Sequence, residues 1–174
     1  MAEQVLVTGG SGYIASWCIV ELMRRGYQVR TTVRSAATQA AVRGAIAATS
    51  VAIDRLTFAT ADLTDDVGWD AAVSGCSYVV HVASPLGGHQ DLITPARDGT
   101  LRVLKAAVDA GVKRVVMTSA AAAARLPRES TGVADETAWS DPADPRSTTW
   151  SASSPSSTRA TRYPLRSGRS RSAA

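Results

Sequence analysis

Cysteine is nearly missing from this 174-residue chain: only Cys18 and Cys76 occur, far apart and with no Cys-x-x-Cys pair. That excludes a disulfide scaffold and a cysteine-built metal site, and leaves two reduced thiols in a cytosolic protein as the expectation. No apolar run approaches the roughly 20 residues of a membrane-spanning helix, so no membrane partner is expected. The N-terminal Met-Ala-Glu-Gln has no basic segment ahead of an apolar core, so no signal peptide is read there and the expected location is the cytoplasm. No solenoid-type repeat is present. Lysine occurs only at 105 and 113, and no acidic residue lies between Glu21 and Asp54. Both gaps matter below.

The net charge of +4 is misleading. Five of the 19 basic residues and none of the 15 acidic ones lie after Arg146, so residues 1–146 carry 14 against 15, a net of −1. The basic character belongs to the last 28 residues, where nine Ser and five Arg stand with no Val, Ile or Lys. Ordering such a segment costs about 1–2 kcal/mol per residue. Burying its Trp150, Tyr163 and Leu165 returns only about 2–3 kcal/mol each. Residues 147–174 are therefore expected to be disordered. Hydrophobic residues make up 45% of the chain, which suits one globular domain with a real core, placed at residues 1–146.

Within that domain, residues 4–8 are a continuous apolar run, the mark of a parallel strand buried on both faces. Gly9, Gly10 and Gly12 break the run, and a helix follows over about 13–25 with Ile14, Cys18, Leu22 and Met23 expected inward. Gly26 suits a left-handed helix end. Further strands are expected over 28–33, 56–60, 77–82 and 113–118. Ser35 is placed to cap an alanine-rich helix running to about 48. Thr64-Asp65-Asp66 reads as a helix start, with Trp69, Ala72 and Val73 as that helix's apolar face. Another helix is expected over about 93–110, ended by Gly111. Strands alternating with helices define βαβ units and a Rossmann-type, doubly wound parallel α/β sheet of about five strands, incomplete on its C-terminal side.

Gly9-x-x-Gly12-x-x-Ala15 has the spacing of a phosphate-binding turn: a tight turn, close backbone approach to phosphate, then close helix–strand packing. Such a match carries weight only between a strand and a helix, which is where this one falls. NAD-specific folds usually place an acid roughly 20 residues beyond the glycines for the ribose 2′-hydroxyl. Here that position is Thr32-Val33-Arg34, and a guanidinium suits a 2′-phosphate. NADP (NADPH) is therefore expected in preference to NAD; the alternative is that Arg34 is a solvated strand end.

These segments also carry a family resemblance. Thr-Gly-Gly-Ser-Gly-Tyr-Ile-Ala-Ser-Trp (8–17), Thr-Thr-Val-Arg (31–34), Ala-Asp-Leu (61–63), His-Val-Ala-Ser-Pro (81–85), Ala-Arg-Asp-Gly-Thr-Leu-Arg-Val-Leu (96–104) and Val-Lys-Arg-Val-Val-Met-Thr-Ser (112–119) occur in order. With Asp-Glu-Thr-Ala-Trp-Ser-Asp (135–141), residues 1–146 resemble an extended short-chain dehydrogenase/reductase of the epimerase/dehydratase superfamily. The similarity is to the branch of dihydroflavonol, cinnamoyl-CoA and aldehyde reductases. It implies that Gly9, Gly12, Tyr13 and Ile14 line the pyrophosphate and that Arg34 binds the 2′-phosphate. Asp62 and Leu63 would hold the adenine edge. Val82, Ala83 and Ser84 would border the nicotinamide ribose, and Thr118 would lie beneath the nicotinamide. His81 is read as a packed histidine and His89 as a solvated one.

The same resemblance implies carbonyl reduction by a Ser, a Tyr and a Lys in Tyr-x-x-x-Lys spacing, the Lys favouring phenolate and the Tyr donating a proton. This sequence holds no such pair: positions four after Tyr13, Tyr27, Tyr78 and Tyr163 are Trp17, Thr31, Val82 and Ser167. The family's usual Thr-Ser-Ser reads Thr118-Ser119-Ala120, which puts Ala120 at the active hydroxyl and leaves Ser119 as a substitute. A frame change or truncation near residue 146 in a high-GC gene is the expected cause. The rival is a genuine disordered tail whose residues 166–172 bind nucleic acid through phosphates, a partner not favoured because no aromatic platform accompanies it. An NADP-dependent reductase of a small-molecule aldehyde or ketone is the leading expectation. A non-catalytic NADP-binding module and an epimerase or dehydratase of the same fold are the alternatives. The sequence gives no reading of the particular substrate or of oligomeric state. Val115, Val116 and Met117 would form an apolar sheet edge, for which low solubility is expected.

Overall fold

The computed structural model describes residues 2–85 and 93–119, with Ala123 and Val133. The loop residues 86–92 with His89, Ala120, the expected boundary near 146 and the tail at 147–174 lie outside the described residues. The chain divides into two units, 1–118 and 119–174, and the fold below is that of the first.

Five parallel strands form one sheet: β1 (Gln4–Val7), β2 (Gln28–Val33), β3 (Leu56–Thr60), β4 (Tyr78–His81) and β5 (Arg114–Met117). Their order is β3-β2-β1-β4-β5, with Val5 opposite both Val29 and Tyr78. The order reverses between β1 and β4, and in sheets of this kind ligands bind beyond the C-terminal strand ends at such a reversal. The expected doubly wound α/β fold is present.

Side chains of successive strand residues point to opposite faces, and the core splits accordingly. Leu6 belongs to a cluster with Trp69, Val73, Val79 and Val103, under α3 (Trp69–Val73) and α4 (Ile93–Asp109). Val7 belongs to the other cluster, with Ile19, Met23, Val29 and Ile46, under α1 (Tyr13–Arg24) and α2 (Ala36–Ala47). Helices on both faces explain why Val5, Leu6 and Val7 are all buried.

The helix ends follow from local chemistry. Ser35 Oγ accepts the Thr38 amide at 3.2 Å and caps α2. At the end of α1 the amides of Gly26 and Tyr27 donate to the carbonyls of Met23 and Leu22, a Schellman closure in which Gly26 takes φ +91°. Arg30 of β2 caps α3 from a distance, donating to the carbonyls of Ala71, Ala72 and Ser74 at 3.1, 3.0 and 2.7 Å.

Two expectations are corrected. The inward stripe of α1 is Ala15, Ile19 and Met23 with Val20, whereas Ile14 is 56% exposed and Cys18 and Leu22 are half-buried. Two apolar stripes lie side by side on this helix. The close approach demanded at the glycine turn selects the one headed by Ala15. Thr64, Asp65 and Asp66 do not start a helix: the Thr64 amide and hydroxyl are taken by Asp62 and the Val67 amide by Asp65, so α3 begins only at Trp69. Local side-chain-to-backbone bonds compete with the helix there.

Candidate functional site

The glycine turn sits where β1 meets α1, on the β1/β4 side of the reversal. Gly9 takes φ +74°, and a Cβ there would stand 3.0 Å from Ala83 Cα, so the end of β4 lies directly against the turn. A Cβ on Gly10 would come 2.4 Å from Thr31 Oγ1. Gly12 differs: its Cβ would meet only the Gly9 carbonyl at 3.2 Å and otherwise open space. Thr32 of β2 braces the turn, its hydroxyl accepting the Gly9 amide at 2.9 Å and its carbonyl the Gly10 amide at 3.0 Å. Ala15, third in the spacing, is fully buried against the sheet.

The first turn of α1 has no side-chain cap and no acidic residue. Its amides have no intrahelical partner and, with the helix dipole, form an anion-binding end. Gly12, Tyr13 and Ile14 are exposed at this end, and the Tyr13 ring meets Trp17 edge-on at 6.5 Å between centroids.

Arg34 follows β2 and is exposed. Asp62 follows β3, and its Oδ1 accepts the Thr64 amide at 2.9 Å and the Thr64 hydroxyl at 2.8 Å. Those bonds, with a smaller pull from Arg34, hold the Asp62 carboxyl below the usual aspartate range, against the opposing effect of partial burial. Leu63, next in the chain, packs its side chain on Gly99 of α4, where an added Cβ would be 2.7 Å from the Leu63 Cβ, and its carbonyl accepts Arg102 at 2.9 Å. Arg102 also pairs with Asp66, so α4 anchors the loop that carries Asp62.

Val82 and Ala83 are half-buried and Ser84 exposed at the end of β4. Thr118 follows β5, its amide donating to the His81 carbonyl at 3.0 Å. The strand ends thus place Gly9, Gly12, Arg34, Asp62, Val82, Ala83, Ser84 and Thr118 along one edge of the sheet. Ser119 opens the second unit and is exposed.

Sequence reasoning gave no role to Thr8, Thr32, Thr100 or Arg102. Thr8 stands inside the quoted motif and Thr32 in the next. Nothing local marks Thr100 or Arg102, whose partners lie 19 and 36 residues away. His81 is the packed histidine expected, buried with Thr8 Oγ1 at 2.8 Å from its Nδ1. Burial alone pushes the ring below the usual imidazole range. Among the described residues no cluster of His, Cys, Asp and Glu could hold a metal, and no helix is long and apolar enough to cross a membrane.

A parallel sheet reversing between β1 and β4, with a glycine turn and an uncapped helix end at the reversal, defines the class of nucleotide-binding α/β proteins. The model of the NAD dependent epimerase/dehydratase family matches residues 5–153, and the chain belongs to that family. Cinnamoyl-CoA reductase 1 of Oryza sativa subsp. japonica is 43% identical over 141 residues, 80% of this chain and 41% of the relative. Vestitone reductase from alfalfa (Medicago sativa) superposes with a TM-score of 0.66 at 36% identity, over 79% of this chain and 43% of that one. Gre2 of Candida albicans in complex with NADPH superposes with a TM-score of 0.61 at 28% identity, over 71% and 38%. The chain spans about two fifths of the length of such relatives. The resemblance to the reductase branch, read from the motifs, is borne out.

Proposed function

We propose that this chain carries the cofactor-binding portion of an NADP-dependent reductase, whose reaction transfers hydride from NADPH to an aldehyde or ketone. The observation that carries the reading is the uncapped end of α1 above Gly12, with Arg34 and no acid at the end of β2. In this reading the Tyr13 and Ile14 amides bind pyrophosphate oxygens, while Gly9 and Gly12, joined by the Gly12 amide donating to the Gly9 carbonyl at 2.9 Å, line the pyrophosphate. Arg34 donates charge-assisted hydrogen bonds to the 2′-phosphate. Asp62, kept ionised by Thr64, accepts from the adenine amine through Oδ2, which has no partner among the described residues. The backbone of Val82–Ser84 borders the nicotinamide ribose, Thr118 lies beneath the ring, and Ser119 hydrogen-bonds a carbonyl oxygen. When bound, NADPH supplies the hydride. The chain's part is to orient that cofactor, and the Tyr-x-x-x-Lys pair that would furnish the proton is not in these 174 residues. Binding without turnover is therefore expected of this chain.

Support for NADP comes from the Arg34 position and from the NADPH complex of the Candida albicans relative. Support for a carbonyl substrate comes from the names of the reductase relatives. Titration with NADPH and NADH, for the wild type and Arg34→Asp, tests the cofactor reading. Losing one or two charge-assisted bonds at about 1.5–3 kcal/mol each should weaken NADPH by roughly 10- to 100-fold or more and leave NADH little changed. Equal NADPH and NADH affinity in the wild type refutes the NADP preference. NADPH oxidation with a panel of aldehydes tests the rest.

A further inference from the structure

The cradle is braced from beneath by a polar chain, buried at Thr8 and His81 and half-buried at Thr100, to which neither the sequence motifs nor the cofactor reading assigns a function. Thr8 Oγ1 lies 3.0 Å from the amide nitrogen of Val82 and 3.0 Å from that of Ala83. It also lies 2.8 Å from His81 Nδ1. A hydroxyl has two lone pairs and one proton. The two amides can only donate, so they take the lone pairs, and the Thr8 proton goes to Nδ1. Nδ1 is then the bare nitrogen of the ring and Nε2 carries the hydrogen, which Thr100 Oγ1 of α4 accepts at 3.3 Å. The Thr8 hydroxyl and both nitrogens of the His81 ring are thus fully used, and no buried side-chain polar atom among the described residues lacks a partner. What this chain holds is the backbone at Ala83, the residue Gly9 abuts.

We propose that Thr8, His81 and Thr100 form a relay that positions the Val82–Ala83 backbone against the glycine turn for dinucleotide binding, with His81 held as the Nε2–H tautomer. The inference rests on the cofactor reading given above. Thr8 and His81 are positioning residues: they act through the amides of Val82 and Ala83. Thr100 extends the relay to α4, the helix whose Gly99 and Arg102 also seat the loop bearing Asp62. One helix thereby sets both the adenine side and the nicotinamide side of the cleft. Burial of His81 supports this, because a ring protonated on both nitrogens would donate to Thr8 and compete with an amide for its lone pairs.

The test uses the 174-residue chain and NADPH titration of the wild type, Thr8→Ser, Thr8→Val and Thr100→Val, with nitrogen-15 NMR of the His81 ring. Thr8→Ser keeps the hydroxyl and should bind within about threefold of wild type. Thr8→Val orphans two amides and one ring nitrogen and should bind at least about tenfold more weakly while remaining folded. Thr100→Val should fall between them and disturb the Nε2–H signature of the wild type. A folded Thr8→Val that binds as the wild type does, or a wild-type ring carrying its proton on Nδ1, overturns the relay and leaves the cofactor reading standing. A wild type that binds neither NADPH nor NADH overturns both. If Thr8→Val does not fold, the wild-type tautomer and the Thr100→Val affinity decide.

Discussion

The three glycines of the turn should separate into two kinds when each is replaced by alanine. Gly9→Ala meets two costs: a left-handed backbone, about 1–2 kcal/mol for an L-residue, and crowding against Ala83 at 3.0 Å. With overpacking at about 1–3 kcal/mol, the sum is about 2–5 kcal/mol. Gly10→Ala drives a methyl to 2.4 Å from the hydroxyl oxygen of Thr31, a fully buried residue that itself bonds the Val7 carbonyl at 2.8 Å. Thr31 is β-branched and cannot swing away, so about 1–3 kcal/mol is again expected. Gly12 sits at φ −79°, ψ 150°, a conformation open to any residue, and its methyl would meet one carbonyl at 3.2 Å. Gly12→Ala should cost only about 0.5–1 kcal/mol, the difference between glycine and alanine as a helix N-cap.

Ligand binding should reverse that order of tolerance. The Gly12 methyl points into the space from which a phosphate would approach the amides of α1, so NADPH affinity should fall by about tenfold or more. Thermal unfolding and NADPH titration of the same preparations check both halves. For a folded unit of 118 residues, each kcal/mol moves the midpoint by about 4 °C. Gly9→Ala should thus melt about 8–20 °C below wild type, and Gly12→Ala about 2–4 °C below. The reasoning fails if Gly12→Ala is as destabilised as Gly9→Ala, or if it binds NADPH as the wild type does.

His81 makes stability depend on pH in a definite direction. Its folded pKa lies below the unfolded value of about 6.5, so below that pH the unfolded chain takes up a proton the folded ring resists. Its contribution is complete above the unfolded value and is lost progressively as pH falls below it, through the lowered folded value. Urea midpoints of the wild type against His81→Asn should show a smaller slope in the variant, and equal slopes would refute it. At the sheet edge, Val116 and Met117 are 54% and 53% exposed on β5, which pairs only with β4 among the described residues. Val116→Thr with Met117→Lys should lower light scattering at equal concentration, with stability unchanged to within about 0.5–1 kcal/mol. Equal scattering would count against that edge as the source of association.

Features that a backbone demands were legible in the sequence. The bounds of β2 and β3 were read without error: each is a short β-branched or aromatic run whose ends carry clear breaks. Gly9 and Ala15 were legible for the same reason, since each answers a steric need that leaves few residue types possible, whereas Gly12, which only the Gly9 carbonyl approaches, was legible only through its spacing in the turn. The start of α3 was misread because Thr64, Asp65 and Asp66 can serve either as helix caps or as turn formers. The choice fell to the Asp62 carboxylate, which captured Thr64.

Side chains whose partners come from topology were not legible. His81 could be read as packed, but its partner Thr8 lies 73 residues away and is adjacent only because β1 pairs with β4. Arg34 stands between these cases. Its position at a strand end follows from the fold, but it is exposed and its one described electrostatic neighbour is Asp62. Packing therefore does not dictate its identity, and a charge selected neither by burial nor by a cap is one free to be selected by a ligand. That is why the proposed NADP preference turns on Arg34, and why Arg34→Asp should change which dinucleotide binds while leaving the melting temperature almost where it was.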